Sequence, residues 1–364
     1  MQKNCFSYPV EFVEGAFGDS PVLAELLAKI GGEDAGVMIV ADMNVVQRMP
    51  GLGARIGKYV QTHGIRLVGS PVVVAAGEKI KADNLQCALT IVSALLEAKL
   101  GKNDIVLAIG GGTLLDVAGY AAAQVRGGIG IVRMPTTPAA MMDAAFADYA
   151  AVDSTNVKDA LRVASVPSAV VIDFEFAASV LDGVWCGGIG EAVRLGVSSS
   201  ATLMKKLYKL GDDYHRRDMG ALAEIVQAVV AVRKKSGPTP LALWSSARLE
   251  AMSGYKLPHG YAVPIGICLS LGYSVETGLM KAGDCDSVIK FMTATGAMDG
   301  LAHSQHIFTQ VDSLLFGLDA WRLSSGSRSI TVCTAIGKSK IEENPQRDVF
   351  AKVLRGPLFF PVKA

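Results

Sequence analysis

The chain has 364 residues, half of them apolar and 19% charged, with 35 basic against 34 acidic side chains and a formal net charge of +1. That length allows two domains with a buried core each. The near-zero balance offers no basic field to a nucleic-acid backbone and no acidic tail, so a nucleic-acid partner is not expected. The six cysteines (Cys5, Cys87, Cys186, Cys268, Cys285, Cys333) are scattered without a CxxC pair, as expected of reduced, mostly buried thiols. The N-terminal residues lack an apolar signal core. The most apolar windows, such as 221–232, are too short and interrupted to span a bilayer. A cytoplasmic protein with no membrane partner is the expectation.

In chain order, 36–40 is a short β-branched strand ending in the turn signal Ala41-Asp42-Met43-Asn44, and 67–74 is a second strand. Residues 84–98 place Leu85, Ala88, Leu89, Ile91, Val92, Leu95 and Leu96 at helical spacing. A third strand, 104–109, runs into Gly110-Gly111-Gly112, then 113–124 is helical and 129–133 is extended. Strands alternating with helices of this length predict a parallel sheet covered on both faces. The last clear strand is 169–173, after which helices are predicted at 189–207, 219–234, 246–251, 261–279 and 287–295, with only 329–333 extended. The expected architecture is an α/β Rossmann-like domain over 1–170 and a mainly α-helical domain over 171–364.

The strongest single feature is the strand-to-helix turn at Gly110, Gly111 and Gly112, followed by Thr113 and Asp116. Glycine lets backbone approach a phosphate, and a helix N-terminus offers free N–H groups and the positive end of its dipole. The spacing is not GxGxxG. Polar groups stand at neighbouring strand ends as well: Asp42 and Asn44, then Glu78 and Lys81, then Thr136 and Thr137 after Pro135. Ligands of open parallel sheets bind at that edge.

These motifs, with Gly119, Ala122, Ala123 and Asp143, occur in the order and spacing of dehydroquinate synthases and the wider sugar phosphate cyclases. Gly188-Ile189-Gly190-Glu191-Ala192-Val193-Arg194 resembles that family's Glu-x-x-Lys helix, and Leu257-Pro258-His259-Gly260-Tyr261-Ala262-Val263 its His-Gly-Glu-Ala-Val segment. Residues 7–12, 49–52 and 317–322 resemble the dehydroquinate-synthase-like proteins of ebo gene clusters.

The resemblance implies a dehydroquinate synthase-like fold, a homodimer, a sugar phosphate or polyol substrate, and NAD in a cleft between domains. Asp42, Asn44, Glu78 and Lys81 would then serve the adenosine side, and Gly110, Gly111, Gly112, Thr113 and Asp116 the pyrophosphate and nearby ribose. Thr136, Thr137, Asp143 and Lys158 would face the nicotinamide. Lys158, Glu191, Arg194 and His259 would be catalytic, and Glu191 and His259 would be ligands of a divalent metal, zinc or cobalt.

The catalytic half departs from the family pattern. Leu243 and Ala247 stand where two histidines are expected, Tyr149 stands at a lysine position, and Asp159 replaces an asparagine. Arg194 replaces the lysine of Glu-x-x-Lys, and the stretch 234–239 is shorter than the family's. His303 and His306 have one-face helical spacing, more in keeping with solvated surface than with ligation. The implied activity is a cyclase-type carbon–oxygen lyase other than standard dehydroquinate synthase. A polyol oxidoreductase of the same superfold and a non-catalytic NAD-binding protein are the alternatives.

Overall fold

The computed structural model of the chain describes residues 6–359, apart from positions 76, 84, 155, 156 and 328 and the side chains of His303 and Ser324. Two compact units form, Phe6–Leu181 and the chain from Asp182 on. The division falls after the last strand of the sheet and the short helix that follows it, later than the expected 170.

The first unit contains β1 (Val10–Val13), β2 (Gly36–Asp42), β3 (Arg66–Leu67), β4 (Val72–Val74), β5 (Ile105–Gly110), β6 (Gly130–Pro135), β7 (Tyr149–Ser154), β8 (Val157–Ala164) and β9 (Ala169–Asp173). Its helices are α1 (Val22–Gly31), α2 (Met43–Arg48), α3 (Leu52–His63), α4 (Gln86–Glu97), α5 (Gly112–Gln124), α6 (Pro138–Met142) and α7 (Glu175–Ala178). The sheet order is β1-β9-β6-β5-β2-β3, with β4 also beside β2, and every pairing in it is parallel. Val37, Ile39, Leu107 and Ile109 pack with Leu23, Leu26 and Leu27 of α1 on one face. The alternate residues Met38, Val40, Val106 and Ala108 are buried too. Strands covered on both faces read as continuous apolar runs, which is why β2, β5, β6 and β9 lie where the sequence places them. The predicted strand 67–74 is two short strands instead, interrupted around Gly69, whose φ is +68°. The antiparallel hairpin β7–β8 was not foreseen.

After β2 the chain runs to β3 and β4 on one side, and after β5 to β6 on the other. The neighbours β2 and β5, paired Ala41 to Ile109, therefore form the point where the winding reverses. Asp42 and Gly110 sit at its carboxyl edge.

The second unit holds α8 (Asp182–Ser199), α9 (Ala201–His215), α10 (Met219–Ser236), α11 (Leu243–Met252), α12 (His259–Glu276), α13 (Ala282–Ala294), α14 (Gly300–His303), α15 (Gln305–Phe308), α16 (Val311–Ser325) and α17 (Arg347–Leu354). The antiparallel hairpin of β10 (Ile330–Ala335) and β11 (Lys338–Glu342) extends the single predicted strand. The predicted helix 189–207 breaks at Ser200, whose hydroxyl accepts the Leu203 N–H at 3.2 Å and caps α9. No described helix is long and apolar enough to cross a membrane.

Gly183, Gly187 and Gly190 recur on one face of α8 at i, i+4 and i+7 spacing, and α12 lies on that face at backbone distance. A Cβ on Gly187 would fall 2.7 Å from the Gly260 Cα, and one on Gly190 would fall 2.9 Å from the Pro264 ring. Gly57 of α3, by contrast, has nothing within 4 Å of its Cβ position. Gly57→Ala should raise unfolding free energy by about 0.5–1 kcal/mol through helix propensity alone. Gly187→Ala gains the same propensity, but it forces backbone apart, an overpacking cost of about 1–3 kcal/mol. It should lower urea stability on balance, and two variants shifting the midpoint the same way would contradict the crossing.

Candidate functional site

In the first unit the site grows from the carboxyl edge of the sheet. Asp42 ends β2 and caps α2, its carboxylate accepting the Asn44 N–H at 2.7 Å, and burial pushes its pKa up. Asn44 itself is exposed. Gly110 ends β5, Gly111 precedes α5 and Gly112 opens it, and no side chain caps this helix. An uncapped helix start leaves N–H groups that an anion can satisfy. Thr136 donates its N–H to the Gly110 carbonyl at 3.0 Å, and a Cβ on Gly111 would lie 3.3 Å from Thr137 Cγ2. A Cβ on Gly112 would lie 3.0 Å from the Ala144 Cβ. Thr137 in turn caps α6.

Beside the turn is a set of internal pairs. The Thr113 hydroxyl donates to Glu78 Oε1 at 2.7 Å, and Lys158 Nζ lies 3.4 Å from Glu78 Oε2. Lys81, 5% exposed, pairs with Asp116 at 2.6 Å and with Asp159. Burial lowers the pKa of this lysine, but Asp116, Asp159, Glu78 and Asp153 overcome that and hold it well above the ordinary value. Burial pushes Asp116 up. It acts on Asp159 too, but there Lys81 and Lys158 outweigh it and hold the carboxyl at about 2. Tyr149 is raised by burial and by the charges of Asp159, Asp116 and Asp143.

The second unit carries a separate charge cluster. Glu191, in mid-α8, is 3% exposed. His259, the first residue of α12, brings Nε2 to 2.9 Å from Glu191 Oε1 and Nδ1 to 2.8 Å from Glu250 Oε1. Arg194, one turn along α8, sets Nε at 2.8 Å and Nη2 at 2.6 Å from Glu191 Oε2. Its Nη1 donates to the Thr239 carbonyl at 2.6 Å. Burial raises the Glu191 carboxyl, yet the Arg194 charge and the His259 hydrogen bond bring it down to about 2.

The expected site residues thus gather in two places. Lys158 joins the group beside the glycine turn in the first unit, while Glu191, Arg194 and His259 meet in the second. Glu250, fully buried on α11, is a site residue that sequence reasoning misses. It lies at i+7 from Leu243 and i+3 from Ala247, so all three share a helix face. The three donors expected of a catalytic zinc site are not assembled. Among the described residues, no group of three or more His, Cys, Asp or Glu is arranged to hold a metal ion. His306 lies on α15, and the His303 side chain is outside the described residues. Cys87, Cys186, Cys268, Cys285 and Cys333 are free thiols, as expected, and Cys5 is outside the described residues.

Comparison with known proteins adds family context. A family model described as the 3-dehydroquinate synthase N-terminal region matches residues 71–183. A 3-dehydroquinate synthase of Agrobacterium fabrum is 26% identical over 337 residues, covering 88% of this chain and 86% of that protein. The fold matches 2-epi-5-epi-valiolone synthase of Streptomyces hygroscopicus, solved with NAD+ and Zn2+, at TM-score 0.82 and 21% identity over 96% of each chain. It also matches a 2-deoxy-scyllo-inosose synthase solved with NAD+, Co2+ and carbaglucose-6-phosphate, at TM-score 0.78 and 16% identity, over 96% of this chain and 98% of that one.

Asp159 supplies a pH test. Its folded pKa of about 2 lies below the ordinary 3.8, so its contribution is present above about pH 4 and is lost as pH falls through 2. The difference corresponds to about 2 kcal/mol. Asparagine tolerates the same left-handed backbone (φ +53° at Asp159), so Asp159→Asn isolates the charge. The gap in urea midpoint between native chain and variant should narrow between about pH 5 and about pH 2. A gap independent of pH would exclude the pairing with Lys81.

Proposed function

We propose that the chain, which is similar to 3-dehydroquinate synthases, is a dehydroquinate synthase-like sugar phosphate cyclase and binds NAD at the carboxyl edge of the first unit's sheet. There it acts as a cyclase-type lyase on a phosphorylated sugar or related polyol. One observation carries the reading: the winding reverses between β2 and β5, and the uncapped glycine start of α5 lies at that reversal. Amides of Gly111, Gly112 and Thr113 would bind the pyrophosphate. Asp42, at the end of the adjacent strand, would accept from a ribose hydroxyl and would repel a 2′-phosphate. Thr136, Thr137, Asp143 and Lys158 would border the nicotinamide, with Glu78 holding both Thr113 and Lys158 in place. Bound there, the nucleotide would take up a hydride from the substrate and return it.

The reaction is proposed to differ from that of 3-dehydroquinate synthase. Leucine at 243 and alanine at 247 can neither ligate a metal nor move a proton, and Tyr149 cannot carry a lysine's charge. The donor set in the second unit does not fit the family's metal.

Calorimetry tests the nucleotide site. NAD+ or NADH should bind with a dissociation constant on the order of micromolar, and NADP+ at least about tenfold more weakly. Gly112→Val, whose added methyls meet Ala144 and obstruct the turn, should abolish the heat while leaving the fold intact by circular dichroism. Absence of heat with both redox forms would end the proposal. A separate assay should find no phosphate release from the seven-carbon substrate of 3-dehydroquinate synthase; robust turnover would refute the claimed divergence.

A further inference from the structure

The charge cluster of the second unit has a composition that the nucleotide reading does not require. Glu191 offers two oxygens, and both are engaged: Oε1 by His259 and Oε2 by the fork of Arg194. The guanidinium is held from its other side by the Thr239 carbonyl and is 3% exposed, so it is fixed in position. Lysine, a flexible point charge, could neither span both contacts nor fill the same plane. Both His259 ring nitrogens face carboxylate oxygens, at 2.8 and 2.9 Å, so neither can offer a lone pair to a cation without giving up one of these contacts. The face of α11 that carries Glu250 presents Leu243 and Ala247, neither of which has a donor atom.

We infer that this site is built to stand without a divalent cation, the Arg194 guanidinium taking up the Glu191 carboxylate that would otherwise ligate one. Charge compensation is then internal. Two buried carboxylates, Glu191 and Glu250, are set against a fixed guanidinium and a histidine that bridges them. Glu250 and Arg194 act as positioning residues, holding His259 at the start of α12 with its side chain 34% exposed. A dication entering here would meet a guanidinium already bound to the only carboxylate that the family resemblance assigns to it.

The inference goes beyond the nucleotide reading and is tested apart from it. Full-length chain purified without chelator should hold less than about a tenth of an equivalent of zinc, cobalt or manganese by plasma mass spectrometry. EDTA or added Zn2+ should leave its thermal midpoint unchanged. About one equivalent of metal surviving dialysis, or a midpoint lowered by EDTA, would overturn it. As a second arm, the double variant Arg194→Lys with Leu243→His frees Glu191 and adds a third donor; it should take up about one equivalent of Zn2+. A folded double variant that remains empty would show that Arg194 and Leu243 are not what excludes the ion, and would likewise overturn the inference. Failure to bind NAD would leave these metal counts unaffected, so the two readings fail separately.

Discussion

The second unit is organised by the approach of two helix backbones, α8 and α12, at Gly187 and Gly260. No side chain separates them there, since either Cβ would lie within 2.8 Å of the other helix's Cα. Contact at that distance fixes where the next turns of each helix lie. Glu191 follows Gly187 by four residues and His259 immediately precedes Gly260, so the crossing delivers a carboxylate and an imidazole to hydrogen-bonding distance across two elements. Burying Glu191 at such a junction is costly unless its charge is matched. The match comes from Arg194 on the same helix and from His259 on the other.

The first unit resolves a comparable problem differently. One of its buried cations is Lys81, matched by Asp116 on α5 and by Asp159 on the β7–β8 hairpin. That pair of contacts ties the outer strand of the hairpin, β8, to the helix that begins at the triple-glycine turn. Glu78 does the same for Lys158 and Thr113. Five of the side chains expected to meet a nucleotide, Glu78, Lys81, Thr113, Asp116 and Lys158, are thus held in internal pairs, and the helix amides and strand ends are the groups proposed to bind it.

The parts of this arrangement visible in the sequence are those governed by local pattern. Buried strands betray themselves as unbroken apolar runs, and the bend at Gly110, Gly111 and Gly112 by its composition. What escaped notice depends on distant partners. Strand β8 carries Lys158, Asp159 and Arg162 and is largely exposed, so it shows neither alternation nor an apolar run. Glu250 reads as an ordinary helical carboxylate until α12 brings His259 to it. Gly183, Gly187 and Gly190 were legible in principle, because small residues at i, i+4 and i+7 mark a face on which another helix can lie at backbone distance. Ser200 likewise marks the break between α8 and α9 by its capping hydroxyl.

A strand with little buried surface holds its alignment weakly, since a one-residue slip exposes nothing that was hidden. In β8 the alignment is instead locked electrostatically: Asp159 bonds to Lys81, and its N–H donates to Asp153 on the partner strand at 2.8 Å. Sliding the hairpin by one position would strand Lys81 against a single carboxylate and carry Lys158 away from Glu78. The ladder is therefore keyed by charge, and an exposed strand acquires the positional certainty usually reserved for strands inside a core.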